Sequence, residues 1–198
     1  MFFGKNAAAC LLTLTGLSTV LASSKEATSA TVSGLKIYAY GSDINGQPVF
    51  YSDGNAYIGS VAPPGTGTSV NITFSTTDTS SPHSVWSISA NTTSSGDSSA
   101  PPFPDNSLSF YIVPNGTFTA AGFGSNASLP SGSVTSGFIL FGKQIAYKGD
   151  DGKLLLQFWA AATNATGVWG LYWNAAGAAI DGAFPVVLKT TAPTVLTI

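Results

Sequence analysis

Arginine is absent from this sequence, and histidine, glutamate, cysteine and methionine each occur once. Each shortage removes a class of function. All seven basic residues are lysines, and only 8% of the 198 residues are charged. No basic patch exists to displace counterions from phosphates, so nucleic acid is not expected as a partner, nor are anionic membrane surfaces for the same reason. One histidine, His83, cannot build a histidine-rich metal centre. With Cys10 the only thiol, transition-metal sites and other cofactors are not expected. No G-x-S-x-G elbow surrounds any serine. Glutamate, lysine and arginine are too scarce to support surface helices, and apolar residues nowhere recur at helical spacing for more than about two turns.

The N-terminus reads as a secretory leader. Met1 to Lys5 is a short basic start, Ala7 to Leu21 is mostly apolar and uncharged, and Val20-Leu21-Ala22 supplies a cleavage site after Ala22. The apolar part is too short for a spanning helix. Cleavage removes Cys10 and Met1, leaving about 176 residues without thiol or disulfide. A chain of that length can bury enough surface to do without disulfides. The new N-terminus is Ser23, which excludes a copper site built on an N-terminal histidine. Residues 191–198 form a short tail without the hydrophobic segment of a lipid-anchor signal, so a released extracellular or wall-associated product is expected. Given secretion, the sequons at Asn71, Asn91, Asn115, Asn126 and Asn164 are candidate glycan sites. Asn71 is the least expected of them, because it falls within a predicted strand.

What the chain does contain is short alternating segments set between turn residues. Residues 23–31 read as a flexible lead-in, and a single domain is expected over 32–190. Strands are predicted over Val32–Tyr40, Val49–Tyr51, Ala56–Ile58, Ser69–Thr76, Val85–Ile88 and Leu108–Val113. Asn45-Gly46 and Asp53-Gly54 mark tight turns, and Asn91 to Asn106 a long Ser/Gly/Pro-rich loop. The pattern predicts an all-β fold, an antiparallel jelly-roll-like β-sandwich with a β-barrel as the alternative. A β-meander is expected between Phe138 and Leu188, divided by turns at Gly149–Gly152, Thr163–Gly167 and Asn174–Gly182.

Secreted β-proteins often cleave polysaccharides, which takes a pair of carboxyl groups, one of them with a raised pKa. The only glutamate, Glu26, lies in the lead-in, and five of the eight aspartates (Asp43, Asp53, Asp150, Asp151 and Asp181) sit at predicted turns. Asp beside Gly is first a turn former. Asp43, Asn45, Asp53 and Asn55 also offer hard oxygens for calcium, but the hairpin-turn reading of the same residues is preferred.

The aromatic load is the remaining feature. Trp159, Trp169 and Trp173 all fall in the predicted meander. Along Lys153–Ala160, Leu154, Leu156 and Phe158 share one face, with Trp159 on the other. Along Val168–Asn174, Trp169, Leu171 and Trp173 share a face opposite Tyr172. Both faces are apolar, so either both are covered or one presents an aromatic patch to a glycan or a protein partner. These three tryptophans are the candidate binding residues.

The runs FYSDGNAYIG (Phe50–Gly59), SGFILFG (Ser136–Gly142) and GVWGLYWN to PVVLK (Gly167–Lys189) resemble a group of small secreted fungal proteins with no assigned activity. The resemblance spans most of the mature chain and implies secretion and a fungal source. It carries no catalytic signature and assigns no site residue. The sequence therefore favours a secreted, glycosylated, non-enzymatic protein that binds cell-wall glycan or a protein. The alternative is a carbohydrate-active enzyme with an aspartate-based site.

Overall fold

Alternation dictates the fold one strand at a time. Over Ser69–Thr76, Ile72 and Phe74 turn inward and are buried, while Asn71 next to Ile72 in the same strand faces solvent. The computed structural model describes residues 31–60, 62, 63, 65–91 and 102–194. The predicted leader, residues 23–30 of the lead-in, the middle of the Asn91–Asn106 loop and the last four residues of the tail lie outside them. The described chain is all-β, with no helix and 47% strand. It therefore contains no helix long and apolar enough to cross a membrane.

Among the described residues the strands run β1 (Val32–Leu35), β2 (Tyr38–Gly41), β3 (Ile44–Ser52), β4 (Asn55–Ile58) and β5 (Ser69–Thr76). Then come β6 (Ser87–Ala90), β7 (Leu108–Tyr111), β8 (Thr119–Ala120), β9 (Gly122–Gly124) and β10 (Phe138–Phe141). The last are β11 (Gln144–Lys148), β12 (Leu154–Leu155), β13 (Phe158–Ala162), β14 (Trp169–Trp173) and β15 (Ala183–Lys189). All pairings are antiparallel. Ten strands close into a barrel in the order β5, β6, β7, β9, β4, β14, β13, β15, β2, β3 and back to β5. β1 adds to β5, β8 to β14, and the β10–β11 hairpin to β15 through Gln144 and Lys189.

Of the two architectures expected, the barrel is the one adopted. A sandwich keeps two sheets with open edges. Here Phe50 pairs with Asn71 and Ile58 with Trp169, and these two junctions join what would have been edges. The expected meander is also rearranged. β15 pairs with β13 and not with β14, because the Asn174–Gly182 connection carries the chain back across the hairpin.

A barrel of this girth needs bulky residues to fill it. The rings of Phe110, Phe138, Tyr147, Trp173 and Phe158 form a closed circuit with centroid separations of 4.9, 6.0, 5.6, 5.0 and 6.3 Å. Phe74 and Phe123 extend it, each 6.0 Å or less from Phe110. The β10–β11 hairpin lies outside the barrel ring, yet it contributes Phe138, Ile145 and Tyr147 to this interior. Each buried ring contributes roughly 2–3 kcal/mol by area, and well-oriented ring pairs about 1 kcal/mol more. At the described end of the long loop, Phe103 is buried against Tyr51, 4.9 Å between centroids.

Candidate binding face

The outer surface of β13 and β14 is where the aromatic residues not used by the core collect. Phe158 and Ala160 point inward and are buried, so Trp159 and Ala161 must point outward. In β14, Leu171 and Trp173 point inward and Tyr172 outward. Register places Tyr172 directly opposite Trp159 on one side and Pro185 of β15 opposite it on the other. Phe118, just before β8, stacks on Tyr172 at 4.6 Å and 7° and meets Trp159 edge-on at 6.5 Å. The Tyr172 ring folds back over Gly170, where an added Cβ would come within 2.7 Å of it. Gly170 pairs with Tyr57 of β4, whose ring stacks on Phe50 at 5.8 Å. Burial, followed by the neighbouring Tyr172 and then Asp53, pushes the Tyr57 hydroxyl above the ordinary tyrosine range.

Phe118, Trp159, Tyr172 and Tyr57 are each part-buried, and Pro185 is exposed. Together they form an uncharged aromatic surface on paired strands, with positions set by backbone hydrogen bonds. The three candidate tryptophans divide across the sheet. Trp159 lies on this face. Trp169 is half-buried and packs from the other side against the core. Trp173 is 0% exposed, inside the aromatic circuit, and cannot take part in surface binding. Phe118, Tyr172, Tyr57 and Pro185 were not among the sequence candidates. Tyr172 was recognisable as the residue opposite Trp169 and Trp173, but Phe118 reaches it only through the β8–β14 pairing.

Four of the described aspartates, Asp43, Asp53, Asp78 and Asp151, shape turns and loops. Asp43 and Asp53 take left-handed turn conformations, with φ of 61° and 45°. They lie at opposite ends of the nine-residue β3, so the two turns do not combine into one calcium site. Asp53 instead accepts hydrogen bonds from the Gly67 and Thr68 amides at 2.7 and 2.8 Å, fastening the β4–β5 connection. No group of three His, Cys, Asp or Glu residues able to hold a metal occurs among the described residues. The Asp78 carboxyl is held below its usual range by the Ser80 hydroxyl and amide, and that of Asp151 by Lys153, 2.8 Å away. Both shifts run opposite to what a general acid requires. His83 is exposed, and its ring makes no hydrogen bond among the described residues.

Asn71, Asn115, Asn126 and Asn164 are all exposed. Asn71 does lie in a strand, but on the outward side. Asn91 is half-buried, and its amide donates to the Asn71 carbonyl at 2.7 Å. Comparison with protein-family models, with curated proteins and with solved structures found no match.

Proposed function

We propose that this is a secreted, N-glycosylated, non-enzymatic barrel that binds a cell-wall glycan through the outer face of β13 and β14. The observation that carries the reading is the Phe118–Tyr172–Trp159 cluster, with Pro185 beside it. A sugar ring presents C–H groups on its faces and hydroxyls around its edge. An uncharged aromatic surface buries the former and leaves the latter to water. Rigid strand positions keep the ordering cost of binding low. The leader Met1–Ala22 supports delivery outside the cell, and the resemblance to small secreted fungal proteins agrees with it.

The test is retention on insoluble cell-wall polysaccharide. Trp159→Ala should weaken retention by about tenfold or more, the factor expected from losing about 1.4 kcal/mol of stacking. The thermal midpoint should barely move, because Trp159 is outside the core. Equal retention of the variant, or capture of a protein partner with no polysaccharide binding, would overturn the reading.

Glycosylation is checked separately. Removal of N-glycans from protein secreted by a eukaryotic host should lower its mass by at least two glycan chains. Peptide mapping should place them among the exposed Asn71, Asn115, Asn126 and Asn164. An unchanged mass would refute it.

A further inference from the structure

A groove of about 630 Å³ shares no lining residue with the aromatic face, and its lining has a distinct chemistry. One wall is the tip of the β10–β11 hairpin, Phe141 to Gln144. The other is the segment Thr191–Thr194, and Tyr40 and Lys189 lie between them. The walls are fixed by the fold. The Tyr40 hydroxyl donates to the Thr191 carbonyl at 2.8 Å, and the Thr190 amide donates to the Lys143 carbonyl at 3.1 Å. Pro193 packs so closely on Gly46 that a Cβ there would lie 2.6 Å from it.

Two of the lining residues are lysines, Lys143 and Lys189, and none is an aspartate or glutamate. In a chain of net charge −2 with only seven basic residues, that is a local reversal of sign. Lys189 Nζ sits 4.9 Å from the Tyr40 ring centroid. A ring positions an ammonium without neutralising it, so the charge stays available to a ligand. Lys143 has no ion-pair partner among the described residues. Asn45 and Gln144 add amide groups. At the rim, Phe141 is 61% exposed, the most exposed of the large apolar side chains described, and Leu156 is 45% exposed.

Separated cations, amides and one solvent-facing aromatic ring match a ligand that has carboxylates, hydroxyls and a C–H-rich face together. We infer that this groove binds acidic oligosaccharides, chains whose sugars carry carboxylate groups. The carboxylates meet Lys143 and Lys189, the amides of Asn45 and Gln144 meet hydroxyls, and a ring face lies on Phe141. The site shares no residue with the β13–β14 face and takes a different class of sugar.

Calorimetric titration of the full chain with a galacturonic acid hexamer tests this. Binding should be detectable at low salt and weaken by about tenfold or more between about 50 and about 500 mM salt, since both cations are solvent-accessible. Lys143→Gln combined with Lys189→Gln should weaken it by about tenfold or more, and Phe141→Ser should also weaken it. The methyl-esterified hexamer, which has the same rings without charge, should bind far more weakly than the free acid. Trp159→Ala should leave the acid's affinity unchanged, so failure here is distinguishable from failure of the β13–β14 face. No binding at low salt, equal binding of ester and acid, an unaffected double lysine variant, or loss of binding in Trp159→Ala would each overturn the assignment.

Discussion

Trp173→Ala should lower the unfolding free energy by about 3–5 kcal/mol, the range for emptying an aromatic site in a packed core. Trp173 is completely enclosed and makes edge contacts with Phe158 and Tyr147 at 5.0 and 5.6 Å. Removing the indole opens the circuit at the point where β14 meets the β10–β11 hairpin. A conservative comparison sharpens the expectation. The Trp173 Nε1 has no hydrogen-bond partner, whereas that of the equally buried Trp86 donates to the Phe138 carbonyl at 3.1 Å. Trp173→Phe therefore loses volume alone. Trp86→Phe loses volume and leaves a buried carbonyl without its indole donor, which adds about 1 kcal/mol or more. Urea unfolding followed by circular dichroism should rank Trp173→Ala as most damaging, then Trp86→Phe, then Trp173→Phe. Equal losses in the two phenylalanine variants would show that the Trp86 hydrogen bond contributes nothing net.

That comparison depends on which way each tryptophan points, and the sequence supplied this only in part. Period-two alternation correctly put Trp169, Leu171 and Trp173 on one side of β14 and Tyr172 on the other. Nothing local said which side was the core. The answer comes from β13 and β15, whose buried Phe158, Ala160, Val186 and Leu188 fix the inward face. The same rule misled along Lys153–Ala160. Alternation groups Leu154 and Leu156 with Phe158, yet they are 40% and 45% exposed while Phe158 is 1% exposed. The run is not one strand. It breaks at Leu156–Gln157, where the Gln157 carbonyl accepts from Asn174 and its side-chain amide donates to the Ala175 carbonyl.

Turn chemistry shows the same limit. Asp53-Gly54 forms the two-residue hairpin loop its residues announce, with Ser52 opposite Asn55. Asn45-Gly46 carries an equally strong signal but lies inside β3. The β2–β3 turn is at Ser42-Asp43, and Gly46 is the extra residue of a bulge, with φ of 70°. A glycine signal reports a need for positive φ and leaves open whether a turn or a bulge uses it. Closure of the barrel was likewise hidden, because β3–β5 and β4–β14 unite segments far apart in sequence, and alternation looks the same in a sandwich. The candidate face inherits that limit, since Tyr57 joins it only through the β4–β14 pairing and Phe118 only through the β8–β14 pairing.

Gly122→Ala tests the β4–β9 junction of the ring and should destabilise the protein by about 2 kcal/mol, within the range for overpacking. Gly122 pairs with Tyr111 of β7 on one side and Asn55 of β4 on the other, at the junction between the two halves of the ring. A Cβ at this position would stand 2.5 Å from the Gly54 carbonyl oxygen and 2.8 Å from the Tyr111 hydroxyl. The tyrosine can rotate. The Gly54 carbonyl cannot move freely, because it accepts the Phe123 amide at 2.8 Å, and the neighbouring Ala56 amide donates to Ala121 at 3.0 Å. The added methyl group must therefore push β4 away from β9 and lengthen both bonds. Gly142→Ala is the matched control. It has φ of 67° and open space around it, so it bears only the left-handed backbone penalty of about 1 kcal/mol. Hydrogen exchange separates the two effects. Gly122→Ala should speed exchange at the Ala56 and Phe123 amides beyond the global change, while Gly142→Ala should leave them as protected as in the parent protein. Uniform acceleration across the barrel in both variants would mean that the β4–β9 junction is no tighter than the rest of the ring.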